Sequence, residues 1–283
     1  MIKVIKAGFY SSIQDNGRFG YRHYGVPISG AMDMYSYQFA NLFLGNKANT
    51  SVIEITMTGP TLKFLKPTFI CNTGANMSPQ CNGKPVEMNK PIKIYKNDIV
   101  SFGKSKSGFR SYIAIKNGFK SEFVLGSQSM YDGVTKQYKL SNGDKLHYDT
   151  FYNDINLTNA NVRYKSSSIN DNYLKVYKGI EFDMLNVSQQ QLLFNTEFKI
   201  SKYNNRMAYQ LTHKIENNLD SIITSPVLPG TVQLTPSGQL IILMRDCQTT
   251  GGYPRILQLT EKAINILSQK TTSNRIKFKR YCS

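Results

Sequence analysis

Short apolar runs of alternating pattern, each cut off by a turn signal, dominate this chain and point to strands rather than helices. Ser51-Val-Ile-Glu-Ile-Thr-Met57 is rich in β-branched residues and ends at Gly59-Pro60. Pro91-Ile-Lys-Ile-Tyr95 alternates, Asn97-Asp98 turns the chain, and Ile99-Val-Ser-Phe102 follows. Ser111-Tyr-Ile-Ala-Ile-Lys116 alternates and stops at Asn117-Gly118, a dipeptide suited to positive φ. Glu197-Phe-Lys-Ile-Ser-Lys-Tyr203 and Arg206-Met-Ala-Tyr-Gln-Leu-Thr212 flank Asn204-Asn205, and Thr231-Val-Gln-Leu-Thr235 and Gln239-Leu-Ile-Ile-Leu-Met244 flank Pro236-Ser-Gly238, so two hairpins are expected. Gln239–Met244 is too continuously apolar to be half exposed and belongs in the middle of a barrel wall. Strands of this length and spacing favour a barrel or sandwich over alternating β and α units.

Three helices interrupt the strands. Asp33 is placed to cap one running to about Leu44, with Tyr35, Phe39, Leu42 and Phe43 on one face and Gly45-Asn46 as the stop. Ser188-Gln-Gln-Gln191 reads as a capping box ahead of Leu192 and Leu193. Thr260-Glu261 opens a third, with Ile264 and Leu267 facing inward. The polar tract 165–172 reads as a linker or long loop. The division expected is an N-terminal β-rich subdomain, 1–165, and a C-terminal β-barrel subdomain, 173–283, or the two as one intertwined unit.

A chain of 283 residues, 40% hydrophobic and 19% charged, has enough apolar material for a globular core. Its net charge of +17 favours acidic partners or anionic substrates. The lysines are spread along the chain, however, and no aromatic-basic motif of a nucleic-acid binder is present, so no nucleic-acid partner is expected. Arg275-Ile-Lys277-Phe-Lys279 reads as an edge strand with its apolar residues inward. Cys71, Cys81, Cys247 and Cys282 form no C-x-x-C pair, and His23, His147 and His213 are far apart, so no metal site is expected. The N-terminus reads as a strand rather than a signal peptide, and no stretch has the length of a membrane span. A cytoplasmic protein with reduced thiols and no membrane partner is the expectation.

Two polar motifs stand out. Ser12-Ile-Gln14-Asp15-Asn-Gly17-Arg18-Phe-Gly20 runs on through Tyr24-Gly25-Val-Pro27-Ile-Ser29-Gly30-Ala-Met-Asp33. Its glycines let backbone approach a ligand, and Arg18 can grip a carboxylate or phosphate through two parallel hydrogen bonds. Asp15 could orient Arg18 or accept a proton. The plainer reading makes Asp15 and Arg18 a structural pair and Asp33 a helix cap. The second motif, Met244-Arg245-Asp246-Cys247-Gln248-Thr249-Thr250-Gly251-Gly252-Tyr253-Pro254-Arg255, follows the most apolar strand. Arginines, hydroxyls, an amide and paired glycines suit an anion nest, where a plain turn needs only Gly251-Gly252 and Pro254. Cys247 is expected to be a buried inert thiol. Gly126-Ser127-Gln-Ser129 reads as a tight turn without the spacing of a nucleophile elbow. Glu54, inside an apolar strand, needs an arginine partner or a pocket to line.

Both motifs, in this order, resemble the carboxyltransferase subdomain C/D (allophanate hydrolase subunit 2-like) family, in particular those members that serve as the C component of 5-oxoprolinase. Carrying the resemblance are Ser12-Ile-Gln14-Asp15-Asn-Gly-Arg18, Gly25-Val-Pro27-Ile-Ser29-Gly30-Ala-Met-Asp33, Ala40-Asn41, Glu54 with Gly59-Pro60, Gly108-Phe-Arg110-Ser-Tyr112-Ile-Ala114, Leu125-Gly126-Ser127, Arg206-Met207, Leu228-Pro229-Gly230-Thr-Val-Gln233 and Arg245 to Pro254. The resemblance covers essentially the whole chain. One departure is Asn117-Gly118, where the family usually has Gly-Gly; asparagine tolerates the left-handed conformation, so the fold should be kept.

The resemblance implies a mostly β fold of cyclophilin-like barrel architecture. It implies one component, inactive alone, of an ATP-dependent 5-oxoprolinase that hydrolyses 5-oxoproline to L-glutamate. Its partners would be a B-like sister component and an A component, with ATP and Mg used in the assembled enzyme. Alternatives within the family are a biotin-dependent carboxyltransferase acting on a urea-like amide and a non-enzymatic antagonist of a kinase-inhibitor protein. Catalytic roles are expected for Asp15, Arg18, Asp33, Arg245 and Asp246, and substrate binding for Gln14, Glu54, Gln233, Gln248, Thr249, Thr250, Gly251, Gly252 and Tyr253.

Overall fold

The computed structural model describes residues 1–153, 164–165 and 167–281. Ser166 and Cys282, which figure in the sequence reading, lie outside the described residues. The chain forms two units, Met1–Arg18 with Asp33–Ile169, and Phe19–Met32 with Asn170–Ser283.

The first unit holds strands β1 (Ile2–Lys6), β2 (Tyr10–Gln14), β3 (Val52–Thr56), β4 (Thr61–Phe64), β5 (Thr68–Asn76), β6 (Gln80–Cys81), β7 (Lys84–Pro85), β8 (Pro91–Ile94), β9 (Ile99–Ser101), β10 (Ser107–Ile115) and β11 (Lys145–Leu146), with helix α1 (Met34–Phe43). Six strands form one sheet in the order β11-β1-β4-β9-β6-β7, and five form a second in the order β2-β3-β10-β5-β8. Alternation explains the core between them: Ile13, Ile53, Ile55, Ile70, Ile113 and Ile115 from one sheet meet Ile2, Val4, Leu62, Phe64 and Val100 from the other. The opposite face of the five-stranded sheet is polar yet buried. Register sets Ser12 opposite Glu54, Glu54 opposite Tyr112, and Tyr112 opposite Thr73, all fully buried.

Helix α1 lies over that polar face. Asp33 caps it as expected, its side chain accepting the Ser36 N–H at 3.1 Å. The buried residues are Ser36, Tyr37, Ala40 and Asn41, not the aromatic stripe. Tyr35, Phe39 and Phe43 stay half buried and stack along the helix, with Tyr164 against Tyr35 and Phe39, while Leu42 is exposed. A polar sheet face selects a small, polar helix face, and apolar periodicity alone does not reveal it. Asn117 has φ of 65° and Gly118 of 79°, the left-handed turn that asparagine was expected to accept.

A one-turn helix, α2 (Ser167–Asn170), occupies part of the tract read as a linker. The second unit then contains β12 (Tyr173–Lys178), α3 (Val187–Asn195), β13 (Phe198–Asn204), β14 (Ala208–Lys214), β15 (Ser225–Pro226), β16 (Thr231–Leu234), β17 (Gln239–Leu243), β18 (Thr250–Gly251), β19 (Arg255–Leu259), α4 (Glu261–Ser268) and β20 (Arg275–Arg280). Seven of the strands close a barrel in the order β12-β19-β16-β17-β14-β13-β20. Both expected hairpins are present, and β17 lies between β16 and β14 in the wall. The fold is mostly β with short helices and a seven-stranded barrel.

Two local expectations are corrected. β20 is not an edge strand: it pairs antiparallel with β13 and parallel with β12, which closes the barrel. The capping box of α3 belongs to Asn186 and Gln189 rather than to Ser188 and Gln191, because Asn186 accepts the Gln189 N–H at 2.9 Å and Gln189 returns the bond to the Asn186 N–H. Thr260 caps α4, and its apolar stripe, Ala263, Ile264, Ile266 and Leu267, joins the barrel core. Among the described residues no helix is long and apolar enough to cross a membrane.

Candidate functional site

In the first unit the early motif forms a clasp. The Asp15 carboxylate accepts the Gly17 N–H at 2.9 Å, the Ser127 and Ser129 hydroxyls at 2.6 Å each, and the Gln128 N–H at 2.6 Å. These four bonds use the acceptor sites a carboxylate has. Arg18, fully buried, donates from Nε to the Val124 carbonyl at 3.1 Å and from Nη2 to the Ser129 carbonyl at 2.6 Å. Asp15 and Arg18 therefore both fasten the segment 124–129, whose Leu125 and Gly126 adopt positive φ. Gln14 belongs to the same layer, its Nε2 donating to Ser12 Oγ at 3.0 Å and to the Met130 carbonyl at 3.2 Å.

A buried polar row extends from there. Glu54 faces Arg110 Nε at 3.8 Å, with both side chains essentially inaccessible. Tyr112 accepts the Asp33 N–H at 2.8 Å. Burial, then the Glu54 and Asp33 charges, push the Tyr112 phenol well above its ordinary range. Asp33 also accepts the Ser36 hydroxyl at 2.6 Å, and that hydroxyl lies 2.8 Å from the Tyr164 phenol. Gln14, Asp15, Arg18, Asp33 and Glu54 thus share one unit.

The late motif lies in the second unit, pinned at several points by backbone. The Ser29 N–H donates to the Arg245 carbonyl at 3.0 Å, and the Asp246 N–H to the Arg206 carbonyl at 3.0 Å. The Val227 N–H donates to the Thr249 carbonyl at 3.1 Å, and β15 pairs with β18 so that Ser225 faces Gly251 and Pro226 faces Thr250. Arg22 reaches the carbonyls of Val227 and Thr249. Gln233 Nε2 donates to the Tyr253 carbonyl at 3.4 Å, and a Cβ on Gly251 would lie 2.6 Å from that Nε2, so glycine is what lets the loop pass.

The charged side chains of this motif have protein partners. Asp246 is clamped by Arg206, Arg245 pairs with Glu261, and Arg255 forms a forked pair with Glu181 at 2.6 and 2.9 Å. Hydrogen bonds from Arg255 hold the Glu181 carboxyl below its ordinary range. Burial pushes the Cys247 thiol up to about 11, against the opposing effect of the Arg22 charge beside it, as expected for an inert thiol. Four buried polar atoms around this loop make no hydrogen bond among the described residues: Gln248 Oε1, Arg245 Nε, Arg22 Nη1 and Ser29 Oγ. Unsatisfied buried groups are uncommon in folded proteins, and each calls for a partner such as water or a ligand. Thr250 and Tyr253 are exposed, and Gln248, Thr249, Gly251 and Gly252 are half buried. Among the described residues no cluster of three His, Cys, Asp or Glu side chains could hold a metal ion.

Residues 24–280 match the carboxyltransferase domain, subdomain A and B. The chain belongs to this family. The matched designation is A and B, where the motifs suggested C/D. The chain is 30% identical over 275 residues to the C component of 5-oxoprolinase from Escherichia coli, covering 95% of this chain and 87% of that one. The Haemophilus influenzae protein of the same name is 29% identical over 286 residues, covering 98% and 90%. The crystal structure of Kluyveromyces lactis urea carboxylase superposes with a TM-score of 0.85 at 26% identity over 98% of this chain, which spans 27% of that larger one.

Ser127, Ser129, Arg22 and Arg206 were not singled out as site residues from sequence. The alternate serines after the Leu125-Gly126 turn were the available signal for the first two. Arg22 gives no separate signal among the polar residues of its motif.

Proposed function

We propose that this chain is one component of an ATP-dependent 5-oxoprolinase, working with a B-like sister component and an A component. The observation that carries this reading is the near full-length similarity to the C component of 5-oxoprolinase from two bacteria. A lactam carbonyl is a weak electrophile. Transfer of the γ-phosphoryl group of ATP to its oxygen releases ADP and creates a leaving group. Water then attacks the carbonyl carbon, the ring C–N bond breaks and the nitrogen takes a proton, and a second water cleaves the resulting acyl phosphate to phosphate and L-glutamate. Such chemistry rests on positioning and on donors for phosphate and carboxylate oxygens.

In this reading the loop Gln248–Tyr253 with Gln233 binds substrate, its unsatisfied Gln248 Oε1 and Arg245 Nε meeting polar groups of the ligand. Arg245 and Asp246 act at the same loop, Arg245 toward oxyanions and Asp246 through Arg206. Asp15, Arg18, Asp33, Gln14 and Glu54 hold the polar layer of the first unit in shape. Mg enters with the nucleotide, and no step is assigned to a metal held by this chain. The work is cytoplasmic in this reading, and the chain alone is inactive.

The test is release of ADP and glutamate from 5-oxoproline when this chain is added to its sister components. Stimulation over the sisters alone is the expected result, and none would reject the proposal. A carboxyltransferase acting on a urea-like amide with carboxybiotin is the second reading, favoured by the structural likeness to urea carboxylase. Copurification with a biotinylated protein would turn the choice to it.

A further inference from the structure

The outer face of β12 and β20 concentrates positive charge that the reaction above does not use. The two strands run parallel, and their register sets Tyr173 beside Lys277 and Lys175 beside Lys279. The alternate residues Leu174, Val176, Ile276 and Phe278 fill the barrel core, so the lysines stand on the solvent side. A groove of 620 Å³ next to this face is lined by α3 and β20, including Gln190, Phe194, Asn195, Lys277 and Arg280. A second, of 230 Å³, includes Asp171, Lys175 and Lys262. Tyr173 and Lys279 border both.

Five cations, Lys175, Lys262, Lys277, Lys279 and Arg280, therefore face one carboxylate across the two grooves. That carboxylate is already engaged: Asp171 accepts the Tyr173 N–H at 2.9 Å and lies near the buried Lys270 ammonium. Lysines side by side on a ladder repel one another. Lysine rows commonly protect an open sheet edge, but beyond Ile276, where its pairing with β13 ends, β20 pairs with β12 and packs against α3 rather than lying open. Arg280 is stacked over the Phe194 ring at 4.7 Å and the Phe182 ring at 5.7 Å, which fixes its guanidinium beside the groove. Gln190 spends its Nε2 on the Leu185 carbonyl at 2.9 Å, so what it can offer a ligand is its carbonyl. Cations on one wall, an aromatic ring and amides on the other, and a volume within the range of about 300–1,000 Å³ usual for small-molecule sites describe a receptor for a compact polyanion with a flat polar group.

We infer that this face binds a polyphosphate-bearing ligand of nucleotide size, its phosphates over Lys175, Lys277 and Lys279 and its flat group against Phe194 and the α3 amides. None of these residues belongs to the loop Gln248–Tyr253, so binding at this face is read by titration apart from 5-oxoproline hydrolysis. The experiment is calorimetric titration of the full chain with ATP, inorganic triphosphate and adenosine at low and moderate salt. A Lys277→Gln, Lys279→Gln double variant and a Lys175→Gln variant are titrated beside it, with melting temperatures as the control for folding. Saturable binding of ATP or triphosphate, weakened roughly tenfold for each lysine removed and by added salt, is the expected result. Tighter binding of ATP than of triphosphate identifies a nucleotide as the ligand, and equal binding a free polyphosphate. Absence of binding, or affinity unchanged in folded variants, overturns the inference. So does loss of an acidic sister component from the variants when no polyphosphate binds.

Discussion

Arg206 grips Asp246 with two parallel hydrogen bonds, Nε to Oδ2 at 2.7 Å and Nη2 to Oδ1 at 3.0 Å. The same Nη2 donates to the Gly30 carbonyl at 2.7 Å. One guanidinium thereby ties the loop after β17 to the glycine-rich segment 19–32 within the second unit.

Asp246→Ala should therefore act on stability first. Removing one partner of a largely buried pair leaves the other charge uncompensated and costs about 3 kcal/mol. A fall of several degrees in melting temperature, seen by circular dichroism, is the expected result. A variant as stable as the parent but inactive in the reconstituted enzyme would make Asp246 a reacting group instead.

The four-donor clasp at Asp15 makes a local prediction. Asp15→Ala leaves Ser127, Ser129 and two backbone N–H groups without their acceptor, a loss of roughly 2–3 kcal/mol. Hydrogen exchange should quicken across 124–130 before it changes in the barrel of the second unit. Uniform acceleration through the whole chain would show that the clasp is not local.

What was legible in the sequence was local. Asp33 announced its helix by residue type and position, and the Asn204-Asn205 and Pro236-Ser-Gly238 turns announced their hairpins. Glu54 announced a need for a partner, found in Arg110. What was hidden depended on distant pairing. Ser127 and Ser129 are more than a hundred residues from Asp15. The face α1 buries was set by Ser12, Glu54, Tyr112 and Thr73, which become one row only when four strands align. β20 looked like an edge because its parallel partner, β12, is just over a hundred residues earlier.

Cys247 should resist alkylation. With the thiol pushed up to about 11, only about one molecule in a thousand is thiolate at pH 8, and burial limits access further. After iodoacetamide treatment of the native chain, peptide mapping should find Cys247 unmodified and Cys81, which is half buried, modified before it. Rapid labelling of Cys247 would mean that its loop opens readily.

Gly251→Ala separates function from stability at the late motif. The new methyl would meet Gln233 Nε2 at 2.6 Å and Val227 Cγ1 at 3.3 Å. The amide end can swing aside, so the cost in stability should stay near 1 kcal/mol. Gln233 would then lose its place beside Tyr253, and activity of the assembled enzyme should fall at least about tenfold, roughly what one misplaced hydrogen bond is worth. Full activity in Gly251→Ala would remove Gln233 from the proposed substrate loop.

Glu181 supplies a pH-dependent prediction whose sign follows from Arg255. The forked pair holds the Glu181 carboxyl below its ordinary value of 4.5. A carboxyl depressed in the folded state contributes its full stability above that ordinary value. The contribution fades as pH falls through the folded value, because the unfolded chain takes up the proton first. Urea unfolding of the parent and Glu181→Gln should differ most near pH 7 and draw together toward pH 3. Two stability curves that stay parallel over this range would mean that the pair lends the fold no charge-dependent support, and that the Glu181 amide serves Arg255 as well as the carboxylate does.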